Sequence, residues 1–210
     1  MSPKSIHDTA RQNNEIAISS MIILASYFLA QILADIGSLK IASIGKMSFD
    51  AGTLIYPFTF TLRDLIHKKL GKKTAQRMIV LCAGANLIMA GFFALVTLLP
   101  SDPTWTLQAA FAAVLGPVWR IVLASIAAEI ISELIDTEVY QLWVTRVTTK
   151  HQWARVLVSN AVSVPIDSII FALIAFSGVL PQETVWLIIW ANIAIKGIVT
   201  LISIPLIYLV

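Results

Sequence analysis

Apolar residues along this chain occur in long runs that are separated by short polar segments. With ends accurate to a few residues, the runs cover about 16–37, 50–66, 76–99, 107–130, 154–178 and 184–208. A run of about 20 apolar residues is long enough for a helix to cross a bilayer. The pattern therefore predicts six transmembrane helices.

Two of these runs are irregular. The second is short and polar at both ends, since it extends from Asp50 to Asp64. The fourth continues without a turn signal into EIISELIDTEVYQLWVTRVTT, so one straight helix would be about twice as long as the membrane is thick. Either that helix projects into the cytoplasm or it bends, and Gly116-Pro117 is one position for a break.

The composition agrees with a membrane protein. Hydrophobic residues make up 58% of the chain and charged residues 13%, and the mean hydropathy is +0.83. Soluble domains contain about 25% charged residues, so this chain lacks the polar surface that a soluble protein needs. We therefore predict an all-α, polytopic integral membrane protein, with a cytoplasmic tail at 1–15 and one transmembrane domain at 16–210 in the lipid bilayer. Cys82 is the only cysteine, which excludes an internal disulfide.

The basic residues are distributed unevenly between the two ends of the predicted bundle. The loops SDPTW and GVLPQET contain none, whereas the segments after the second and fourth runs contain most of them. By the positive-inside rule, both termini are then cytoplasmic. Because topology explains this distribution, the net charge of +3 does not indicate nucleic-acid binding.

Three ionisable residues lie near the middle of predicted spans, namely Arg120, Asp167 and Lys196. A charge at that depth costs about 2.5–3.5 kcal/mol on insertion scales and usually faces the protein interior or a wet cavity. The three residues form either a structural ion-pair network or part of a polar binding cavity. Further side chains at helical spacing on the same faces favour the cavity. They are Asn160 and Phe171 on the fifth run, Asn192 and Thr200 on the sixth, and Ser125, Glu129, Ser132 and Asp136 on the fourth.

The second run, DAGTLIYPFTFTLRD, contributes its own polar and aromatic residues to this predicted cavity. They are Asp50, Thr53, Tyr56 and Phe58. Asp50 has an alternative role as a helix cap. Pro57 in this run and Pro165 in the fifth each remove a backbone hydrogen bond, which is typical of the broken helices of transporters but also of kinks without a function.

Motifs for catalysis are missing from the sequence. It contains no Walker A loop, no HExxH and no GxSxG, and its histidines, at 7, 67 and 151, lie in the predicted tail and cytoplasmic loops. We therefore predict no enzymatic activity, no cofactor and no metal site. A membrane enzyme is a remaining alternative, whose chemistry would depend on Glu129, Glu133, Asp136 and Arg146 near the inner interface.

Three stretches of the sequence carry a family resemblance. FDAGTLIYPFTFTLRDLI, RIVLASIAAEIISELIDTEVY and RVLVSNAVSVPIDSIIF resemble, in this order, the queuosine precursor transporter family, also catalogued as vitamin uptake transporters. The resemblance covers about residues 20–208. It implies import of 7-cyano-7-deazaguanine and 7-aminomethyl-7-deazaguanine across the bacterial inner membrane by six helices without a dedicated ATPase partner. A homodimer is a further expectation.

A deazaguanine presents a flat ring, a carbonyl and an amidine-like edge with two parallel N–H donors. The hypothesis is that Asp167 or Glu129 accepts both donors and that Asn160 or Asn192 binds the carbonyl or pyrrole side. Lys196 and Arg120 would keep the acid ionised, and the stacking ring would come from Tyr56, Phe58, Trp119 or Phe171. The alternative from another class is a substrate-capture subunit that binds a vitamin and needs a separate ATPase. The full predicted substrate site comprises Asp167, Lys196, Asn160, Glu129, Arg120, Asn192, Tyr56, Asp50, Thr53, Ser125, Phe58 and Phe171.

Overall fold

The computed structural model describes residues 3–147 and 152–203, and this part of the chain is mostly helical, as predicted. It contains one β-hairpin and one short 3-10 turn besides its α-helices. The helices are α1 (Pro3–Gly37), α2 (Tyr56–Leu70), α3 (Lys72–Leu98), α4 (Gln108–Leu115), α5 (Val118–Arg146), α6 (Gln152–Phe176) and α7 (Gln182–Ser203). The hairpin strands are β1 (Ile41–Ile44) and β2 (Met47–Asp50), and the 3-10 turn is Ala51–Leu54.

Five segments in the described part of the chain are long and apolar enough to cross a membrane. They are Ala17–Gly37, Lys73–Leu98, Gln108–Ser132, Leu157–Phe176 and Gln182–Ile202. The chain is therefore a polytopic membrane protein. Helix α2, with the sequence YPFTFTLRDLIHKKL, is not among these segments. It has only 15 residues, and its second half is rich in charged residues.

The second predicted run has different boundaries in the structure. Its first residue, Asp50, ends β2, and a 3-10 turn separates that strand from α2. The strands are antiparallel, with Ile41 opposite Asp50, and Gly45 in their connection has a φ of 62°, which favours glycine. Pro57 lies in the first turn of α2, where its missing N–H would have no helical partner. Pro57 thus begins a helix and does not break one.

Helix α2 runs antiparallel to α1 along most of the apolar part of α1. At one end, the Ser38 hydroxyl after α1 donates to Asp50 just before α2. At the other end, Lys69 Nζ donates to Ser19 Oγ at 2.5 Å. The α1 segment between Ser19 and Ser38 is about 28 Å long, which is close to the thickness of a hydrocarbon core, about 30 Å.

The predicted break at Gly116-Pro117 is confirmed, because α4 ends at Leu115 and α5 begins at Val118. Helix α6, in contrast, continues through Pro165. That proline has no N–H to donate to the carbonyl of Ala161, so α6 lacks one internal hydrogen bond there. Helix α1 begins at Pro3, so the predicted N-terminal tail and the first span belong to one helix. The end of the sixth run, beyond Ser203, lies outside the described residues.

The buried apolar residues define two groups of helices. One core lies within α1–α3 and contains Tyr27, Ile66, Ala75, Met78 and Cys82. A second core lies within α5–α7 and contains Ile121, Ala124, Ala128, Phe171, Ala172, Ala175, Phe176, Val185, Ile188 and Ile189. A smaller cluster, Ala90, Val118 and Val122, packs α3 against α5. We call the boundary between α1–α3, with their hairpin, and α5–α7 the seam.

Candidate functional site

A small buried cavity lies on the seam. Its volume is about 10 Å³, which is the space that about one water molecule requires. In this structure the cavity therefore has room for little more than a water molecule. The lining residues from the first helix group are Ala34, Asp35, Ser38, Asp50, Gly52, Thr53 and Tyr56, and those from the second are Ser125, Ala128, Asp167, Phe171 and Lys196.

Asp167 of α6 and Lys196 of α7 meet in this cavity, at the matching depth that the sequence indicates. Lys196 Nζ donates to Asp167 Oδ2, and the two side chains are only 4% and 3% exposed. The Lys196 ammonium also lies 4.5 Å from the centroid of the Tyr56 ring, in a cation–π arrangement. The charge of Asp167 is thus balanced by Lys196, and Lys196 connects α6 and α7 to α2.

Asp50 is the centre of a second network, which joins the hairpin to α1 and α7. Its Oδ1 accepts from the Ser38 hydroxyl at 2.7 Å and from the Thr53 N–H at 3.1 Å. Its Oδ2 accepts from the Asn192 amide at 2.8 Å and lies 2.8 Å from the Thr53 hydroxyl. That hydroxyl is also 2.8 Å from Asn192 Oδ1. Asp50 therefore caps the 3-10 turn, as its alternative role predicted, and also lines the cavity.

Gly52 permits the close approach between the 3-10 turn and α1. A Cβ atom added to it would lie 2.1 Å from Ser38 Oγ and 2.2 Å from the Ala34 carbonyl oxygen. Both distances are far below van der Waals contact, so a larger residue does not fit without movement of the backbone. The glycine thus keeps Asp50 close enough to the end of α1 to accept the hydrogen bond of the Ser38 hydroxyl.

Asp35, on α1, lines the cavity but is missing from the site predicted from the sequence. It is 2% exposed. Its Oδ1 accepts from the Ser125 hydroxyl and its Oδ2 from the Asn86 amide, each at 2.7 Å. Asp35 lies two residues before the end of the first predicted span, where a charge normally marks the interface. A signal in the sequence was the polar face of α1, which is buried and contains Ser20, Tyr27, Gln31 and Asp35.

The structure does not bring Arg120 to the Asp167–Lys196 pair. Its Nε donates to the carbonyl of Ile174 at 2.6 Å and its Nη2 to that of Ser177 at 2.5 Å. Ile174 lies in the last turn of α6 and Ser177 directly follows that helix. At a helix C-terminus the last backbone acceptors have no helical partner, and positive charge is favourable. Arg120 therefore stabilises the end of a helix from the first turn of α5, although it lies near the middle of the segment Gln108–Ser132 in sequence.

The other predicted site residues lie around the cavity or away from it. Phe58 is 55% exposed and Trp119 is 53% exposed, so neither ring faces the cavity, whereas Tyr56 and Phe171 line it. Asn160 is half-buried on α6, seven residues before Asp167, and does not line the cavity. The side chains of Glu133 and Asp136, on which the enzyme alternative depended, lie outside the described residues.

Glu129, on α5, is half-buried next to the lining residue Ala128. It interacts electrostatically with Tyr27 of α1, Tyr56 of α2 and Cys82 of α3. Glu129 therefore lies close enough to the first helix group to act on it electrostatically, but it is not part of the cavity lining.

Comparisons with known proteins agree with this architecture and with the resemblance read from the sequence. The chain is 29% identical over 184 residues to a protein of Bacillus subtilis (strain 168) named "Probable queuosine precursor transporter", and the match covers 85% of this chain and 79% of that protein. No solved structure matches the chain. The family model described as "Putative vitamin uptake transporter" matches residues 50–210. This model matches most of the chain, and the chain is a polytopic membrane protein with a polar cavity between its helices. The chain therefore belongs to that family of membrane transporters.

Proposed function

We propose that this chain imports queuosine precursors, which are 7-deazaguanine bases, across the bacterial inner membrane. The observation that carries the proposal is the cavity, where Asp35, Asp50 and Asp167 converge with Lys196 inside an otherwise apolar bundle. Polar groups in this number and at this depth are expensive in a membrane and usually mark a substrate pathway. The family and the printed name of the Bacillus relative support the same conclusion.

The lining of the cavity suits a flat heterocyclic base. Tyr56 and Phe171 supply aromatic faces for stacking. The Lys196 ammonium has further N–H donors besides the one directed at Asp167, and it can donate one to a ring carbonyl. Thr53 and Ser125 add hydroxyl groups, each of which both donates and accepts. The proposed binding site is thus the cavity-lining part of the site predicted from the sequence together with Asp35, and Asn192 positions it through Asp50.

The proposed topology has six membrane crossings and cytoplasmic termini. The antiparallel course of α2 alongside α1 supports it. The Ser38–Asp50 contact lies at one end of this helix pair and the Ser19–Lys69 contact at the other, so α2 extends along the membrane-spanning part of α1. Helix α2 can be less apolar than the other spans because it packs between α1 and α3 and contributes to their shared core. The basic segment at the end of α2 then lies in the cytoplasm.

A base is several times larger than the present cavity, so the helices must separate to admit it. Transporters with sites at the midplane commonly open first to one side of the membrane and then to the other by movement of one helix group against another. The seam between α1–α3 and α5–α7 is the boundary along which we propose that this movement occurs.

The decisive experiment measures both binding and transport by the purified chain. A thermal-shift panel should show stabilisation by 7-deazaguanine bases, since a ligand at 100 times its Kd adds about 2.7 kcal/mol to the free energy of unfolding. Proteoliposomes that contain only this chain should then accumulate the same base. Stabilisation by a vitamin but not by a deazaguanine would contradict the proposed substrate. Binding without any accumulation would instead indicate a capture subunit that needs other proteins.

A further inference from the structure

The three carboxylates in the cavity have different sets of partners. Asp50 is surrounded by four hydrogen-bond contacts from Ser38, Thr53 and Asn192. Asp167 is paired with Lys196. Asp35 accepts one hydrogen bond on each oxygen, from the neutral side chains of Ser125 and Asn86.

Asp35 therefore has acceptor capacity that the described residues do not use. An ionised carboxylate has about four lone-pair positions, two on each oxygen. The two contacts to Ser125 and Asn86 occupy one position on each oxygen and leave one on each. At 2% exposure, Asp35 cannot obtain the remaining two bonds from bulk water.

The charge of Asp35 also lacks a cationic partner among the described residues, whereas that of Asp167 is balanced by Lys196. A buried carboxylate is unfavourable unless it is paired or fully hydrogen-bonded. A ligand with two parallel N–H donors satisfies both free positions at once, in the bidentate geometry that carboxylates form with guanidinium groups. This is the geometry of an amidine-like edge, which consists of a ring N–H and an adjacent exocyclic amino group.

We propose that Asp35 is the specificity-determining residue that binds the amidine-like edge of the transported base. This inference rests on the proposed function and assigns the recognition of that edge to α1, not to Asp167 or Glu129. Asp167 already has a cation, Lys196, on Oδ2 and the Ser132 hydroxyl at 3.4 Å from Oδ1, so its charge is balanced without the base. Asp35 has only neutral partners and can keep both of them when the base binds. Ser125 and Asn86 fix the carboxylate in the plane that the base must share.

The test compares two bases that differ at this edge, 7-cyano-7-deazaguanine and the same base without its 2-amino group. Their Kd values for the full-length purified chain are measured by titration calorimetry. The wild-type chain should bind the amino-bearing base at least about tenfold more tightly. The base without the 2-amino group lacks one of the two hydrogen bonds to the Asp35 carboxylate, and a hydrogen bond to a charged group is strong. In Asp35→Asn the ratio of the two Kd values should fall to about one. A role of Asp35 in folding alone would weaken both bases equally and leave the ratio unchanged.

The matched control is Asp102→Asn, the same chemical change at an exposed loop residue, which should keep the wild-type ratio. An Asp35→Asn chain with the wild-type ratio would overturn the assignment of Asp35 and leave the proposed function intact. A wild-type chain that binds neither base would contradict the proposed function itself. If Asp35→Asn does not fold, Asn86→Ala replaces it: the carboxylate remains but loses one of its two orienting donors. The ratio should then fall severalfold, and a folded Asn86→Ala chain with the wild-type ratio would contradict the proposal.

Discussion

Lys196 and Asp167 form an ion pair between α7 and α6 that is almost completely buried. The sequence leaves two interpretations of these charges, a structural network or part of a binding cavity. The pair itself fits both interpretations, but its position in the cavity lining, with Tyr56 against the ammonium, favours a role in binding. The two interpretations differ in what happens when both charges are removed together.

The first prediction separates stability from transport at this pair. Lys196→Met should lower the free energy of unfolding by about 3–5 kcal/mol, since it leaves Asp167 as a buried charge without a partner. The double variant Lys196→Met/Asp167→Leu should recover most of that stability, because two apolar side chains replace the pair. Uptake should remain lost in both. Thermal unfolding in detergent and uptake in proteoliposomes measure the two effects, and a double variant that transports at the wild-type rate would leave the pair with a structural role alone.

The second prediction concerns the contact between Gly52 and α1. Gly52→Ala should destabilise the protein by about 1–3 kcal/mol, because its Cβ atom would overlap the Ala34 carbonyl and Ser38 Oγ. Gly84→Ala is the matched control, since a Cβ atom there meets nothing within 4 Å inside α3. That control should be neutral or stabilising, since alanine favours a helix over glycine by about 1 kcal/mol. Equal melting temperatures for the two variants would argue against a tight approach at Gly52.

The third prediction distinguishes the two asparagines that the sequence suggests for the site. Asn192→Ala should reduce uptake by about tenfold or more, since Asp50 loses one of its four hydrogen-bond contacts and the Thr53 hydroxyl loses its contact with α7. Asn160→Ala should transport at nearly the wild-type rate, because Asn160 does not line the cavity. Uptake is compared at equal amounts of folded protein. The reverse order of effects would place the substrate deeper along α6 than the cavity in this structure.

The fourth prediction assigns Arg120 to the end of α6. Arg120→Ala should lower the melting temperature, because the carbonyls of Ile174 and Ser177 lose their donors. The Kd for the transported base should stay the same, because Arg120 does not line the cavity. A loss of affinity with an unchanged melting temperature would restore Arg120 to the binding site, as the sequence suggested.

The fifth prediction tests whether α2 crosses the membrane. The background is Cys82→Ala, because Cys82 is the only cysteine in the chain. In intact cells, an impermeant maleimide should label Lys46→Cys in the hairpin turn but not Lys73→Cys at the start of α3, and both positions are exposed in the structure. Disruption of the cells should make Lys73→Cys reactive as well. Labelling of both positions from outside would mean that α2 enters the membrane and returns to the same side.

The sequence predicts those parts of the fold that depend on a local residue pattern or on the high cost of an unpaired charge in lipid. Apolar length located the long helices, and the Gly116-Pro117 pair located the break before α5. Burial of a charge in lipid is costly enough that Asp167 and Lys196 could be expected to meet. The hairpin was not predicted, because its strands are only four residues each, which is too short for an alternating pattern to be distinctive.

Asp35 shows what a local pattern leaves out. Its partners are separated from it by 51 and 90 positions along the chain, so no spacing within α1 reveals them. The same applies to the contact between Asp50 and Asn192, which spans 142 positions. Arg120 is the opposite case. Its depth in a run suggested the cavity, but the break at Gly116-Pro117 begins a new helix just before it and places it beside the end of α6.

The contacts that cross the seam at the cavity are of a different kind from those that hold each helix group together. Ser125 with Asp35 and Asn192 with Asp50 are hydrogen bonds, whereas each group has its own apolar core. A hydrogen bond to a neighbouring helix can be exchanged for one to water or to a ligand with little net change in free energy, but a buried apolar contact cannot. The proposed opening of the seam should therefore cost less where hydrogen bonds cross it than at the apolar cluster of Ala90, Val118 and Val122, and the two larger cores can stay packed.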